Sequence, residues 1–181
     1  MTIYTRKGDD GTTGLLYGGR VRKDADGPMA YGAVDEAQAA IGLARAEAPR
    51  GGRLDEILVG VCHDLYVCMA ELATLEENRP KLVAGRTLAT AEMVTALEPL
   101  IDEATGRFPM PEDFVIPGGN RASAALDLAR TVVRRAEREV LGVAVAGSHT
   151  VPYLNRLSDL LWALARWQDG GDNLLSKESR P

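Results

Sequence analysis

Histidine is almost missing from this 181-residue chain, which has only His63 and His149. Di-iron helical bundles need Glu-x-x-His pairs, and the residues three before these histidines are Gly60 and Ala146, so that chemistry is excluded. No Cys/His grouping has zinc-ligand spacing. The only cysteines, Cys62 and Cys68, lie six residues apart on a predicted helix, point to different faces and cannot bridge each other. A reducing, cytoplasmic setting is the simplest reading. There is no Gly-x-Ser-x-Gly elbow for a serine nucleophile. There is also no Gly-Lys-Ser/Thr phosphate loop after a strand. No apolar run approaches the ~18 residues of a membrane span. The opening "MTIYTRKGDDG" lacks the charged-then-apolar order of a secretory signal and the long basic amphipathic stretch of a transit peptide. Aromatics make up only 5 % of the chain, while Ala and Leu dominate, which favours helices over strands. A net charge of −5 and a pI near 5.1 argue against general nucleic-acid binding, but they leave room for a local basic pocket.

What is present reads as one domain, residues 1–181. Residues 1–28, rich in Gly, Asp, Lys and Arg, read as an extended arm. Residues 29–169 read as a helical bundle and 170–181 as a tail. Helices are predicted over about 29–48, 54–75, 88–104 and 120–142, with Pro99 kinking or splitting the third, and "GSHTVPYL" (147–154) opens a fifth, with Pro152 tolerated in its first turn. Residues 76–86 and the Pro/Gly-rich "TGRFPMPEDFVIPGG" (105–119) read as loops. Asn120 is a suitable N-cap for the fourth helix, whose apolar stripe is Ala122, Leu126, Ala129, Val133, Ala136 and Val140. Leu154, Leu157, Leu161 and Leu164 form the seam of the fifth. No strand pattern stands out, so the expected fold is an all-α antiparallel five-helix bundle.

The fourth helix carries Arg130, Arg134, Arg135 and Arg138, against only Asp127, Glu137 and Glu139. Arg130, Arg134 and Glu137 share a stripe one position round from the apolar seam. A solvated face with i,i+4 ion pairs is the plain reading. A site for a polyanion is the sharper one, because guanidinium offers a planar fork of donors to phosphate. Asn155 and Asp159 repeat the geometry on the fifth helix, so the two helices can line one polar cleft. In the arm, "TRKGDDGTTG" (5–14) supplies Gly8, Gly11 and Gly14 among charged and hydroxyl groups, a composition that can wrap phosphates or simply form a tail. His63, between apolar neighbours, reads as an ordinary helix residue.

Six stretches, in order and spanning nearly the whole chain, resemble the PduO-type ATP:cob(I)alamin adenosyltransferases. They are "YTRKGDDGTTG" (4–14), "GGRVRKD" (18–24), "AYGAVDEA" (30–37), "FVIPGG" (114–119), "LARTVVRRAERE" (128–139) and "YLNRLSDLLWALAR" (153–166). Three positions depart from the family pattern. Asp127 stands where His is common, "DEAQ" replaces Asp-Glu-Leu-Asn, and Met29 sits where an acidic residue is frequent. The resemblance implies a ferritin-like up-down five-helix subunit, a homotrimer and active sites at subunit interfaces. It also implies transfer of the 5′-deoxyadenosyl group of ATP to the cobalt of cob(I)alamin, releasing triphosphate, with Mg²⁺ on the phosphates. By position, it places ATP contacts on Thr5, Arg6, Lys7, Gly8, Thr13, Gly14, Lys23, Arg134, Arg135, Ala136, Glu137, Arg138 and Asn155. Asp35 and Arg130 correspond to an ion pair between subunits, and Phe114 to the residue beneath the corrin that excludes a lower axial ligand. Arg130, Arg134, Asp35, Phe114 and Asn155 are the implied catalytic set. A cob(II)alamin reductase and an adenosylcobalamin-dependent enzyme are the implied partners. A non-catalytic carrier or sensor of ATP or adenosylcobalamin on the same fold is the alternative.

Overall fold

The computed structural model describes residues 3–170 and 174–177; the rest of the expected arm and tail lies outside the described residues. In chain order the elements are β1 (Thr12–Gly14), β2 (Arg20–Arg22), α1 (Asp26–Ala46), α2 (Arg53–Leu72), α3 (Ala91–Thr95), α4 (Glu98–Thr105), α5 (Arg121–Leu141) and α6 (Thr150–Asp169). A 3-10 turn at Glu76–Lys81 interrupts what the sequence suggests is plain loop.

The apolar periods decide how the long helices pack. The buried face of α1 is Ala30, Val34, Ala37, Ile41 and Ala44, and that of α5 includes Leu126, Ala129, Val133, Ala136 and Val140. Small side chains on both faces let these two helices lie close together. The fully buried Leu154, Leu157, Leu161 and Leu164 of α6 pack on the other side of α5, as their spacing predicts. α2 packs on α1 through Ile57, Leu58, Val61, Leu65 and Cys68. α5 starts with a reciprocal cap. Asn120 Oδ1 accepts from the Ser123 N–H (2.9 Å), and Ser123 Oγ accepts from the Asn120 N–H (3.1 Å). Asn120 Nδ2 also donates to the Gln168 carbonyl (2.7 Å), tying the start of α5 to the end of α6.

One expectation is met in its split form and one changes. The predicted third helix is divided at Pro99 into α3 and α4. Pro99 lacks an N–H and sits in the first turn of α4, where that loss does no harm. The arm contains an antiparallel hairpin, with Thr12 opposite Arg22 and Gly14 opposite Arg20, so the fold is predominantly helical, not purely so. Three-residue strands are too short to show an alternating pattern. The connecting residues Tyr17, Gly18 and Gly19 have φ of 62°, 103° and 93°, a reversal that glycine makes easy. The arm is docked: the Leu16 N–H donates to the Ala73 carbonyl (2.9 Å) at the end of α2. Buried Glu71 braces the same region by accepting from Arg79 Nη2 (3.0 Å), the Ala89 N–H (2.9 Å) and Thr150 Oγ1 (3.2 Å). Among the described residues no helix is long and apolar enough to cross a membrane.

Candidate active site

Glu137 on α5 meets Asn155 on α6, whereas Asp127 meets Arg166, so these helices run antiparallel. Glu36 on α1 pairs with Arg135, and Met29 and Glu139 border the same hollow, so α1 also opposes α5. The arm therefore sits at the end of the bundle where α5 finishes. The loop before α5, carrying Phe114, sits at the other.

That loop forms one wall of a cavity of about 620 Å³, lined by Met110, Phe114, Val115, Asp127, Arg130, Trp162 and Arg166 among others. Phe114 is 84 % exposed beside it, whereas Phe108, the other phenylalanine, is buried edge-on to Trp162 at 6.0 Å. An exposed ring at a cavity mouth is surface that a ligand or a partner would cover. Backbone pairing fixes the ring's segment. The Ser176 N–H donates to the Phe114 carbonyl and the Ile116 N–H to the Leu174 carbonyl, both at 2.8 Å. Lys177 adds an ion pair to Asp113 at 3.0 Å.

The arginines of α5 separate by face. Arg130 lines the cavity and its Nε lies 3.4 Å from Asp127 Oδ1. Arg134 has no acidic partner among the described residues, and Arg138 donates to the Arg134 carbonyl (3.1 Å). Each step from Arg130 to Arg134 to Arg138 advances about 6 Å along the axis. Glu137 joins this stripe and accepts from Asn155 Nδ2 at 3.0 Å, closing the cleft between α5 and α6. Arg135 points elsewhere and pairs with Glu36 across the α1 interface. The Ala136 side chain is in the core, so only its backbone is placed for contact. Asp159 turns to Arg156 (2.8 Å) and does not join the cleft.

In the arm, Thr5, Arg6, Lys7 and Gly8 precede the hairpin, with Arg6 at φ 59° and its guanidinium 5.6 Å from the Tyr4 ring. Thr13 and Gly14 lie on β1. Lys23 Nζ and the Thr12 carbonyl both crowd Gly8, each 3.1 Å from where an added Cβ would stand. Arg20 donates to the Lys7 carbonyl and to Thr12, making the arm a hydrogen-bonded loop. The described contacts do not bring the arm residues to Arg134 within one chain.

Nor does one chain join Asp35 to Arg130. Asp35 is exposed on α1, at a hollow of about 420 Å³ shared with Gln38, Arg45, Cys62, His63 and Tyr66. Sequence reasoning missed Arg166, which is 1 % exposed and reaches Asp127 Oδ2 at 2.6 Å and Asp169 Oδ2 at 2.9 Å. The signal was available in the antiparallel register. Stepping back on α5 from Glu137 to Asp127, and forward on α6 from Asn155 to Arg166, keeps facing partners opposed. No cluster of three or more metal-ligating side chains occurs among the described residues.

The cobalamin adenosyltransferase family model matches residues 3–168. The chain is 40 % identical over 188 residues to the corrinoid adenosyltransferase of Mycobacterium tuberculosis, covering 96 % of each. It is 38 % identical over 174 residues to that of Bacillus subtilis, covering 92 % of this chain and 86 % of the relative. Its fold superposes, with a TM-score of 0.86, 27 % identity and coverage of 99 % and 98 %, on a variant PduO-type ATP:corrinoid adenosyltransferase from Lactobacillus reuteri complexed with cobalamin and ATP. With a matching family model over most of its length and relatives of this closeness, the chain belongs to the cobalamin adenosyltransferase family.

Proposed function

We propose that the protein transfers the 5′-deoxyadenosyl group of ATP to the cobalt of cob(I)alamin, giving adenosylcobalamin and triphosphate. The observation that carries this reading is the pairing of an uncovered Phe114 at a large cavity with a basic stripe leading away from it along α5. In the reaction the cobalt(I) electron pair attacks C5′, a cobalt–carbon bond forms, and the C5′–O bond breaks with its electrons leaving on triphosphate. The nucleophile is supplied by the substrate, so the absence of a serine or cysteine nucleophile motif is expected. The protein's task is positioning and charge stabilisation. Arg134 and Arg138 would meet the phosphates, and Asn155 and Glu137 would border them. Phe114 would cover the lower face of the corrin and keep water or a nucleotide base off cobalt.

Thr5, Arg6, Lys7, Gly8, Thr13, Gly14 and Lys23 would close over the nucleotide from a neighbouring subunit, because one chain leaves arm and stripe apart. Arg135 would take part only by releasing Glu36, and Ala136 only through its backbone. The assembly we propose is a homotrimer of single-domain, ferritin-like five-helix subunits, with α3 and α4 counted as one broken helix. Asp35 of one subunit would meet Arg130 of the next. Mg²⁺ would ride on the phosphates. Glu137, between Arg134 and Arg138, is the carboxylate that would hold the ion beside the phosphates, and the ion would supply charge neutralisation to the leaving group. A cytoplasmic location, a cob(II)alamin reductase upstream and an adenosylcobalamin-dependent enzyme downstream complete the reading. The test is anaerobic incubation with reduced cobalamin and MgATP, following the visible spectrum. A cobalt–carbon spectrum that requires both protein and ATP supports transfer; an unchanged cob(I)alamin spectrum refutes it.

A further inference from the structure

Arg130 reaches the cavity wall from a row of alternating charges. Asp169, at the end of α6, lies so close to the Pro-Gly-Gly turn that a Cβ on Gly119 would collide with its Oδ1. Its Oδ2 lies 2.9 Å from Arg166 Nη2, and the same nitrogen donates to Asp127 Oδ2 at 2.6 Å. Asp127 then turns its other oxygen, Oδ1, to Arg130 Nε at 3.4 Å. Arg166 is 1 % exposed and Asp127 4 %, so both charges are withdrawn from water and depend on each other. The two aspartates and two arginines cancel.

We propose that Asp127 is a positioning residue that aims Arg130. Asp127 takes Nε, on the edge of the guanidinium. That leaves Nη1 and Nη2, which have no partner among the described residues, at the end of a side chain that lines the cavity. A guanidinium gripped on one edge keeps its planar fork in one orientation, whereas a lysine or an ungripped arginine does not. The row also runs from the Gly119 turn, which follows the Phe114 loop, to Arg130, so both flanks of the cavity are set by one buried cluster. Asp127 is a position at which the sequence departs from the family pattern. This proposal rests on the reading of Arg130 as part of the substrate site.

The test is a double-mutant cycle on the full chain, assayed anaerobically with MgATP and chemically reduced cobalamin, with melting temperatures measured in parallel. Asp127→Asn keeps the shape but leaves the buried Arg166 with Asp169 as its remaining counter-charge, so the melting temperature should fall and kcat/KM is compared well below it. Loss of a charged hydrogen bond should lower kcat/KM by about tenfold or more. Arg130→Ala should lower it at least as much, and adding Asp127→Asn to Arg130→Ala should change it by less than about twofold, because the aimed group is already gone. A tenfold effect that persists in the Arg130→Ala background, or wild-type activity in Asp127→Asn, overturns the positioning role while leaving Arg130 in the site. Wild-type activity in Arg130→Ala overturns the site reading itself, and the proposal with it. Should Asp127→Asn melt too early for that comparison, Arg130→Lys decides the matter. It keeps the charge but has no Nε for Asp127 to hold, so undiminished activity there also overturns the proposal.

Discussion

Arg134 is exposed and has no acidic partner among the described residues, so truncating it should leave the fold alone and remove a cation from the phosphate path. Arg134→Ala should lower kcat/KM for ATP by about 30-fold or more, the equivalent of about 2–5 kcal/mol for a charged contact, with an unchanged melting temperature. Arg134→Lys should recover only part, since it restores charge but not the fork. Steady-state kinetics within twofold of wild type for the alanine variant would remove the leaving-group role. Phe114 calls for a different comparison. Its 84 % exposure means that Phe114→Ala opens no core cavity, so any defect belongs to the ligand. The variant should fail with cob(II)alamin and a reducing system yet keep much of its rate with cob(I)alamin prepared chemically. Equal losses in the two assays would leave the ring no role in excluding an axial ligand.

Between elements, ion pairs do what the short helices cannot do by burial. α4 buries little besides Ala104, and it is pinned to α2 by Glu103, which accepts from Arg53 Nη2 (2.6 Å) and from Arg107 Nη2 (3.0 Å). The Arg53 hydrogen bond, followed by those of its neighbours, draws the Glu103 carboxyl down to about 2 from an ordinary 4.5. A carboxyl lowered in the folded state stabilises it fully above the ordinary value, and the stabilisation fades as pH falls toward the folded one. The melting temperature of wild type should therefore exceed that of Glu103→Gln near neutrality, and the gap should close between about pH 4.5 and 2. Parallel melting curves across that range would contradict the assignment. The helices themselves were legible from the chain. Leu154, Leu157, Leu161 and Leu164 recur at the α-helical period, Asn120 begins α5, and Pro99 divides α3 from α4. The hairpin was not legible, because Thr12–Gly14 and Arg20–Arg22 are too short for alternation and hold together through backbone bonds. In the site, the stripe of Arg130, Arg134 and Glu137 followed from spacing. The turning of Arg135 to Glu36 did not, because it depends on which helix lies alongside. Arg166 was passed over because a charged residue near a helix end usually reaches water. Here two aspartates from different helices keep it inside.

At the scale of the molecule, one subunit holds Asp35 and Arg130 on surfaces that do not meet, and the proposed trimer would join them between neighbours. Arg130 keeps Asp127 on its Nε side, so its two terminal nitrogens remain for the Asp35 of the adjoining subunit. Breaking a partly buried pair costs about 3–5 kcal/mol, enough to silence a site without unfolding a subunit. Asp35→Asn and Arg130→Ala should each be nearly inactive. Co-refolding the two should restore activity, because some mixed interfaces then carry an intact Arg130 facing an intact Asp35. Mixed trimers, verified by mass, that stay as inactive as the parents would place each site within one subunit. The length of α5 has a consequence of another kind. It is the ruler between the Phe114 end and the arm end, and on a ruler substitutions and changes of length are not equivalent. One residue inserted between Arg130 and Arg134 would turn everything beyond it by about 100° and push it about 1.5 Å along. Arg134 and Arg138 would leave the cleft, and Ala136 and Val140 would leave the core together. Descendants of this gene can exchange letters along α5, but they can gain or lose them only in the loops at either end.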